Sequence, residues 1–208
     1  MKQLLLDIQP APPPTLDNFV PGANAEVLHS LRQAAGGSPE IRFITLWGPG
    51  GCGKTHLLSA CAALARQQGI ELVIADDVQT RDDDAQIELF NHYNRLRESG
   101  GALIAAGDAS PMQMHLRPDL ATRLSWGLVY QLHPLSDEDK ARALQAHAAA
   151  RGMKLPEEVV EYCLRHLRRD LRSLMATLDA LDTWSLTAKR AVTLPLLRQL
   201  LQLPLDLN

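Results

Sequence analysis

Cysteine is scarce in this sequence, and the little there is does not pair. Cys52, Cys61 and Cys163 are the only three in 208 residues. Their odd number and lack of metal-ligand spacing argue against a disulfide framework and fit a reducing, cytoplasmic setting. Long apolar runs are missing as well. No stretch approaches the roughly 18 residues of a membrane span, and the apolar opening MKQLLLDI is too short for a signal-peptide core and contains Asp7. Positive charge is not in excess: 21 Lys and Arg stand against 24 Asp and Glu, a formal net charge of -3. The whole chain therefore has no electrostatic footprint for nucleic acid, and DNA would be reached through something else. There is no internal repeat and no low-complexity tract beyond one proline cluster. What remains is ordinary for a globular protein, 46% apolar and 22% charged residues, and it rules out disorder throughout. The length suits one well-cored domain, or a medium domain with a small one.

Three leucines fall within the first six residues, ahead of QPAPPP. Proline fixes φ and removes an N–H, so this run reads as an extended linker between an apolar tip and the folded part. In TLDNFVPGANAEVLHSLRQ, Pro21-Gly22 marks a turn, Asn24 is a plausible helix cap, and Val27, Leu28 and Leu31 follow a helical pattern. IRFITLWG is a β-rich run ending in glycine. THLLSACAALARQQG then predicts a helix with Leu57, Cys61 and Leu64 on one face. IELVIADD is strand-like, a helix through Ile87, Phe90, Tyr93 and Leu96 stops at Gly100-Gly101, and ALIAAGD and LVYQLHPL supply two further strands. Strands alternating with helices imply a parallel sheet covered on both faces. From Ser136 the pattern changes to helices alone.

GPGGCGKT, Gly48 to Thr55, matches G-x-x-x-x-G-K-[ST] between a predicted strand and helix. Gly48, Gly50, Gly51 and Gly53, with Cys52 between them, let the backbone curl so that N–H groups face phosphate oxygens. Lys54 adds a charge at the β/γ-phosphates, Thr55 can ligate Mg²⁺, and His56 continues the candidate cofactor segment. ATP or ADP with Mg²⁺ is the expected ligand. LVIADD should deliver Asp76 to the Mg²⁺ shell and Asp77 to the attacking water. Asp108, ending the next strand, is a third candidate for orienting that water. Asp82 to Asp84 read as a charged loop and helix start.

With the phosphate loop, VIADD, ATRLSWG and a helical carboxy-terminal region together, the chain resembles AAA+ ATPases of the DnaA clade, over nearly all of residues 1–203. TLDNFVPGAN looks like that clade's amino-terminal box, which implies that Asn18, Phe19 and Val20 line an adenine pocket. PDLATRLSWGLVYQLHPLSDEDK is more specific and is similar to the Hda family, DnaA-related regulators that promote ATP hydrolysis by the replication initiator. The implied fold is α/β: an AAA+ P-loop domain over 15–134 with a shortened parallel sheet, then a small α-helical lid domain over 135–208, preceded by a tail and linker at 1–14.

The resemblance also implies roles. Arg123 is the arginine finger, pointing away from its own nucleotide into a neighbour's site, a task that suits a planar, permanently charged fork. Arg172 is the second sensor, with Arg168 and Arg169 close enough to compete for that role. QLLLDI resembles the short peptide by which replication proteins dock on the sliding clamp, so Gln3, Leu4, Leu6 and Ile8 become partner-binding candidates, with few large anchors on a flexible tether. QLPLDL at 202–207 is either a second copy or an ordinary helix end.

Two departures from the family pattern stand out. About twenty residues run from Thr55 to Asp76, enough for one helix and a short turn, where related domains carry another strand and helix. The sheet should be short and the acidic strand should lie at its edge. No region corresponds to the initiator's single-strand-binding insertion or to a helix-turn-helix domain. The phosphate loop, by contrast, is complete, which leaves autonomous hydrolysis open. Three functions follow as expectations: a clamp-bound regulator that makes DnaA hydrolyse ATP, a self-sufficient AAA+ ATPase, or a non-enzymatic adaptor holding ADP.

Overall fold

The computed structural model describes residues 13–167 and 170–202. They divide into two compact units, Pro13–Leu135 and a helical unit that begins at Ser136. In the first, β1 (Phe43–Trp47), β2 (Leu72–Ala75), β3 (Ala102–Gly107) and β4 (Leu128–Gln131) form one sheet in the order β2-β3-β1-β4. Every pairing is parallel, with Trp47 opposite Gly107 and Ala75 opposite Ala105. Parallel strands need crossovers, supplied here by α2 (Lys54–Gln68), α3 (Asp83–Ser99) and α4 (Pro118–Trp126), with α1 (Ala25–Ala35) ahead of the sheet.

Strand position sets strand composition. β3 lies between β1 and β2 and is buried along its whole length, so ALIAAG is continuously apolar and small rather than alternating. Ile104 and Ala106 face the core shared with α1 and α2, while Leu103 and Ala105 face the core shared with α3 and α4. The short interval between Thr55 and Asp76 holds one helix and one strand, and the acidic strand β2 is the sheet's edge. β4 forms the other edge, with Leu128 and Val129 each 37% exposed.

Two sequence expectations are corrected here. Asn24 stands at the start of α1 but makes no side-chain cap. Its carboxamide accepts from the His133 N–H at 2.8 Å and donates to the His133 carbonyl at 2.9 Å and the Pro21 carbonyl at 3.0 Å. Those backbone groups lie where no strand can pair them, and a buried Asn side chain satisfies them instead. The second correction concerns α3. Its buried face is Gln86, Leu89, Tyr93 and Leu96, whereas Ile87 is 40% exposed; the inward stripe is rotated and begins on a glutamine.

The second unit packs α5 (Asp137–Ala150), α6 (Glu157–His166), α7 (Leu171–Ala188) and α8 (Leu194–Gln202) around a core of its own. Ser136 and Asp170 cap α5 and α7, accepting from the N–H groups of Asp139 at 3.0 Å and Ser173 at 2.8 Å. Leu174, Leu178 and Leu181 of α7 are fully buried. An ionic network joins α5 to α7: Asp179 meets His147 at 2.7 Å and Arg151 at 3.2 Å, and Arg151 reaches Asp182 at 3.1 Å. Among the described residues no helix is long and apolar enough to cross a membrane.

Candidate nucleotide site

All four strands run the same way, so their carboxyl ends, and the loops that leave them, share one edge of the sheet. Gly48 to Gly53 follow β1, Asp76 and Asp77 follow β2, and Asp108 follows β3.

The loop requires glycine at two points. Gly48 has φ 154° and an added Cβ would lie 2.5 Å from the Leu132 carbonyl oxygen; Gly53 has φ 100° and an added Cβ would lie 2.7 Å from the Phe19 ring. A positive φ at both positions, with a backbone carbonyl pressed on Gly48 and an aromatic ring on Gly53, disfavours any larger residue there. Gly50 and Gly51 are open to solvent and Cys52 is buried beneath them. Lys54 Nζ donates to the carbonyls of Gly48 at 2.6 Å and Pro49 at 3.2 Å, which holds the ammonium over the mouth of the loop at the amino-terminal end of α2.

Thr55 Oγ1 donates to Asp76 Oδ2 at 2.8 Å. A hydroxyl and a carboxylate side by side suit Mg²⁺, a hard cation that keeps several waters and takes few protein ligands. Accordingly, no group of three or more His, Cys, Asp and Glu among the described residues could hold a metal by itself. Asp77 sits in the left-handed region, φ 46° and ψ 48°. Its N–H donates to Asp76 Oδ1 at 3.0 Å, its carbonyl accepts from Thr80 Oγ1 at 2.8 Å, and its carboxylate accepts from Gln79 Nε2 at 3.4 Å. Few non-glycine residues tolerate this conformation, and aspartate is one that does. Asp108 is exposed at the end of β3.

The amino-terminal box lies against this loop. Besides Gly53, the Phe19 ring packs on His56 at a centroid distance of 5.5 Å, and the His56 Nε2 is bonded to the Thr15 carbonyl at 3.0 Å. Phe19 and Val20 are half-buried, while Asn18 is exposed. The Asn18 carboxamide holds its own turn, accepting from the Thr15 N–H at 2.9 Å and donating to the Pro13 carbonyl at 3.0 Å.

Arg123 stands on α4, the helix between β3 and β4. α4 leads into β4 through Gly127, which is pressed against the carbonyl of Phe43, the first residue of β1; the phosphate loop follows Trp47, the last. Arg123 Nε donates to Asn94 Oδ1 at 3.1 Å, and its guanidinium lies 4.1 Å from the Trp126 ring centroid and 5.4 Å from that of Phe90. Arg97 also approaches Trp126, at 5.6 Å, and that indole is 56% exposed. Burial pushes the Tyr93 phenol up, against the opposing pull of Arg123, Arg97 and Arg42. The result is an aromatic surface carrying several cations.

Arg172 is exposed in the first turn of α7. Arg168, Arg169, the QLPLDL segment beyond Gln202, and Gln3, Leu4, Leu6 and Ile8 lie outside the described residues. Sequence reasoning missed Asn94, Trp126 and Gln86. Trp126 lies within the ATRLSWG stretch and Asn94 beside Tyr93 of the apolar stripe, but only the fold brings α3 to α4. Gln86 had one available signal, a polar residue at the helical spacing of Leu89, Tyr93 and Leu96.

Residues 62–131 match the family model of the bacterial DnaA ATPase domain, and residues 137–201 match that of the Hda lid domain. Similar solved structures include domain III of the replication initiation protein DnaA from Thermotoga maritima, with TM-score 0.74 and 23% identity over 93% of this chain and 98% of that one. AMPPCP-bound DnaA from Aquifex aeolicus matches with TM-score 0.70 and 20% identity over 84% of this chain and 66% of the other. The RuvB Holliday junction branch migration motor of Thermotoga maritima matches with TM-score 0.65 and 15% identity over 90% and 70%. At such identities the structural likeness is one of fold, and it agrees with the sheet order and the loop positions described above. With residues 62–131 of its first unit matching the one family model and its helical unit the other, the chain is an Hda/DnaA-related AAA+ protein.

Proposed function

We propose that this protein is a regulator of replication initiation. It binds ATP or ADP with Mg²⁺ in the loop from Gly48 to Thr55, docks on the DNA-loaded sliding clamp through Gln3, Leu4, Leu6 and Ile8, and supplies Arg123 in trans to ATP held by DnaA. The observation that carries this reading is the place of Arg123. Its helix enters β4 through Gly127, against the carbonyl of Phe43 at the start of β1, whereas Lys54 follows the end of that strand. Arg123 is held by Asn94 and by the exposed ring of Trp126, contacts with α3 and α4 rather than with its own phosphate loop, and this supports a role toward a neighbour's nucleotide.

Each residue then has one task. Lys54 and the loop N–H groups bind phosphates, Thr55 and Asp76 hold the Mg²⁺ shell, and Asp77 and Asp108 orient water. Phe19, with Val20 and Asn18, borders the base, and Arg172 senses the bound phosphate. The cation would neutralise charge between the phosphates. Arg123 would neutralise charge that develops on the partner's γ-phosphoryl group, an effect on the order of 10³–10⁵-fold in known systems.

The test is single-turnover hydrolysis of ATP pre-bound to DnaA, with and without clamp loaded on DNA. Acceleration should require the loaded clamp and should vanish both in Arg123→Ala and in Gln3→Ala. Undiminished acceleration by Arg123→Ala would sink the finger assignment. A second reading rests on the intact pairing of Thr55 with Asp76: an autonomous, self-assembling ATPase. It requires turnover without DnaA that rises more than linearly with protein concentration.

A further inference from the structure

Gln86 is 4% exposed, a polar side chain on the otherwise apolar buried stripe of α3. A glutamine at that depth needs partners, and it has one on each side. Its Nε2 donates to the Arg81 carbonyl at 2.9 Å, and its Oε1 accepts from the Arg117 N–H at 2.8 Å. Arg81 ends the short 3-10 turn Val78–Thr80 that follows Asp77, and Arg117 is the residue directly before α4. One side chain therefore joins the turn behind the acidic strand to the helix that bears Arg123.

The joint is the last link of a longer series. Thr55 Oγ1 donates to Asp76 at 2.8 Å, the Asp77 N–H donates to Asp76 at 3.0 Å, and Thr80 donates to the Asp77 carbonyl through N–H at 2.9 Å and hydroxyl at 2.8 Å. Arg81 is next in the chain, and Gln86 carries the connection to Arg117. The path runs without a gap from the phosphate loop to the first turn of α4, six residues before Arg123. The polar surroundings of this joint are not closed: Gln79 Oε1, Arg81 Nε and Arg117 Nε are buried with no hydrogen-bond partner. Unmet groups of this kind carry a desolvation penalty that a small shift of the turn against α4 can relieve. What the joint fastens is the helix that carries the arginine.

We propose that Gln86 is a positioning residue that couples this protein's own nucleotide site to the finger, so that a nucleotide at Thr55 and Asp76 sets the aim of Arg123. The inference rests on the nucleotide site and finger proposed above. It needs a readout independent of DnaA, and Trp126 provides one, because its exposed indole lies 4.1 Å from the Arg123 guanidinium and reports whether that contact is kept.

The experiment uses the full chain with Trp47→Phe and Trp184→Phe, leaving Trp126 as the single tryptophan. Binding of Mg²⁺-ADP is followed in parallel with a fluorescent ADP analogue. Nucleotide should change Trp126 emission. Gln86→Met, of similar length but unable to bond either backbone group, should still bind ADP yet lose that change, and should stimulate DnaA hydrolysis less at saturating protein. Leu89→Ala, a cavity one turn away with no part in the path, controls for loss of stability and should keep the emission change. An unaltered change in Gln86→Met overturns the coupling, and so does a parent protein that binds ADP with no change at all. Loss in Leu89→Ala to the same degree also overturns it, as mere softening of α3. If the parent binds no ADP, the nucleotide site itself is refuted. If Arg123→Ala leaves DnaA hydrolysis unaffected while the emission result holds, the finger reading alone fails.

Discussion

At the scale of single residues, burial decides what two of the three cysteines can do. Cys61 is fully enclosed on α2 and Cys163 on α6; burial raises the Cys61 thiol to about 12 and the Cys163 thiol to about 11. Only the thiolate is nucleophilic, so neither should react with a thiol reagent in the native protein at pH 8, while both should react in denaturant. Mass spectrometry of the labelled peptides checks this. The sign of the pH dependence follows. The folded state holds these protons more tightly than the unfolded one, so the stability they contribute is complete below the unfolded thiol's value, near 9, and is lost as pH rises toward 11 and 12. The urea midpoint should fall across that alkaline range, and fall less in Cys61→Ser than in the parent.

At the scale of elements, side chains that join distant backbone groups matter more than those that fit local pattern. Asn24 is 2% exposed and serves both the N–H and the carbonyl of His133, fastening the amino-terminal box to the segment that leaves β4. Asn24→Ala should cost about 1–3 kcal/mol, the loss of hydrogen bonds worth about 0.5–1.5 kcal/mol each to the part-buried backbone groups that its carboxamide joins. Ile87 sits at an apolar helical position but outside the buried face, and Ile87→Ala should stay within about 0.5 kcal/mol. Urea unfolding of the two variants gives the contrast, and the reverse order would refute this account of α3 and of the box. Legibility follows the same division. The phosphate loop, the start of α3 in the acidic run Asp82 to Asp84 and the strands were readable because each depends on neighbours in sequence. The tasks of Asn24 and Gln86 were not, because their partners stand 109 and 31 residues away.

At the scale of the whole molecule, two units with separate cores mean that nucleotide binding should stabilise one of them directly. A ligand present at 100 times its dissociation constant adds about 2.7 kcal/mol to the state that binds it. Mg²⁺-ADP should therefore raise the unfolding midpoint of Pro13–Leu135, followed by the signal of Trp47 and Trp126. Lys54→Ala removes a charged hydrogen-bond donor worth about 1.5–3 kcal/mol, so at the same ADP concentration most of that stabilisation should disappear. A shift of equal size in Lys54→Ala would mean that the nucleotide binds elsewhere.

What this sequence determined by itself is whatever short-range covalent geometry dictates. A strand, a glycine-rich turn and a helix in that order make a phosphate loop, and about twenty residues between Thr55 and Asp76 leave room for one helix; the place of the acidic strand at the sheet's edge was implied by the family resemblance, not by that spacing. The tertiary structure alone decided the rest. Parallel pairing gathered Asp76, Asp77 and Asp108 onto the end of the sheet occupied by the loop, and packing of α4 beside α3 set Arg123 on Asn94, Phe90 and Trp126. Packing of α3 against the sheet chose Gln86 rather than Ile87 to face inward. The reason is that burial and backbone pairing are satisfied for the molecule as a whole, by groups that the linear order keeps far apart.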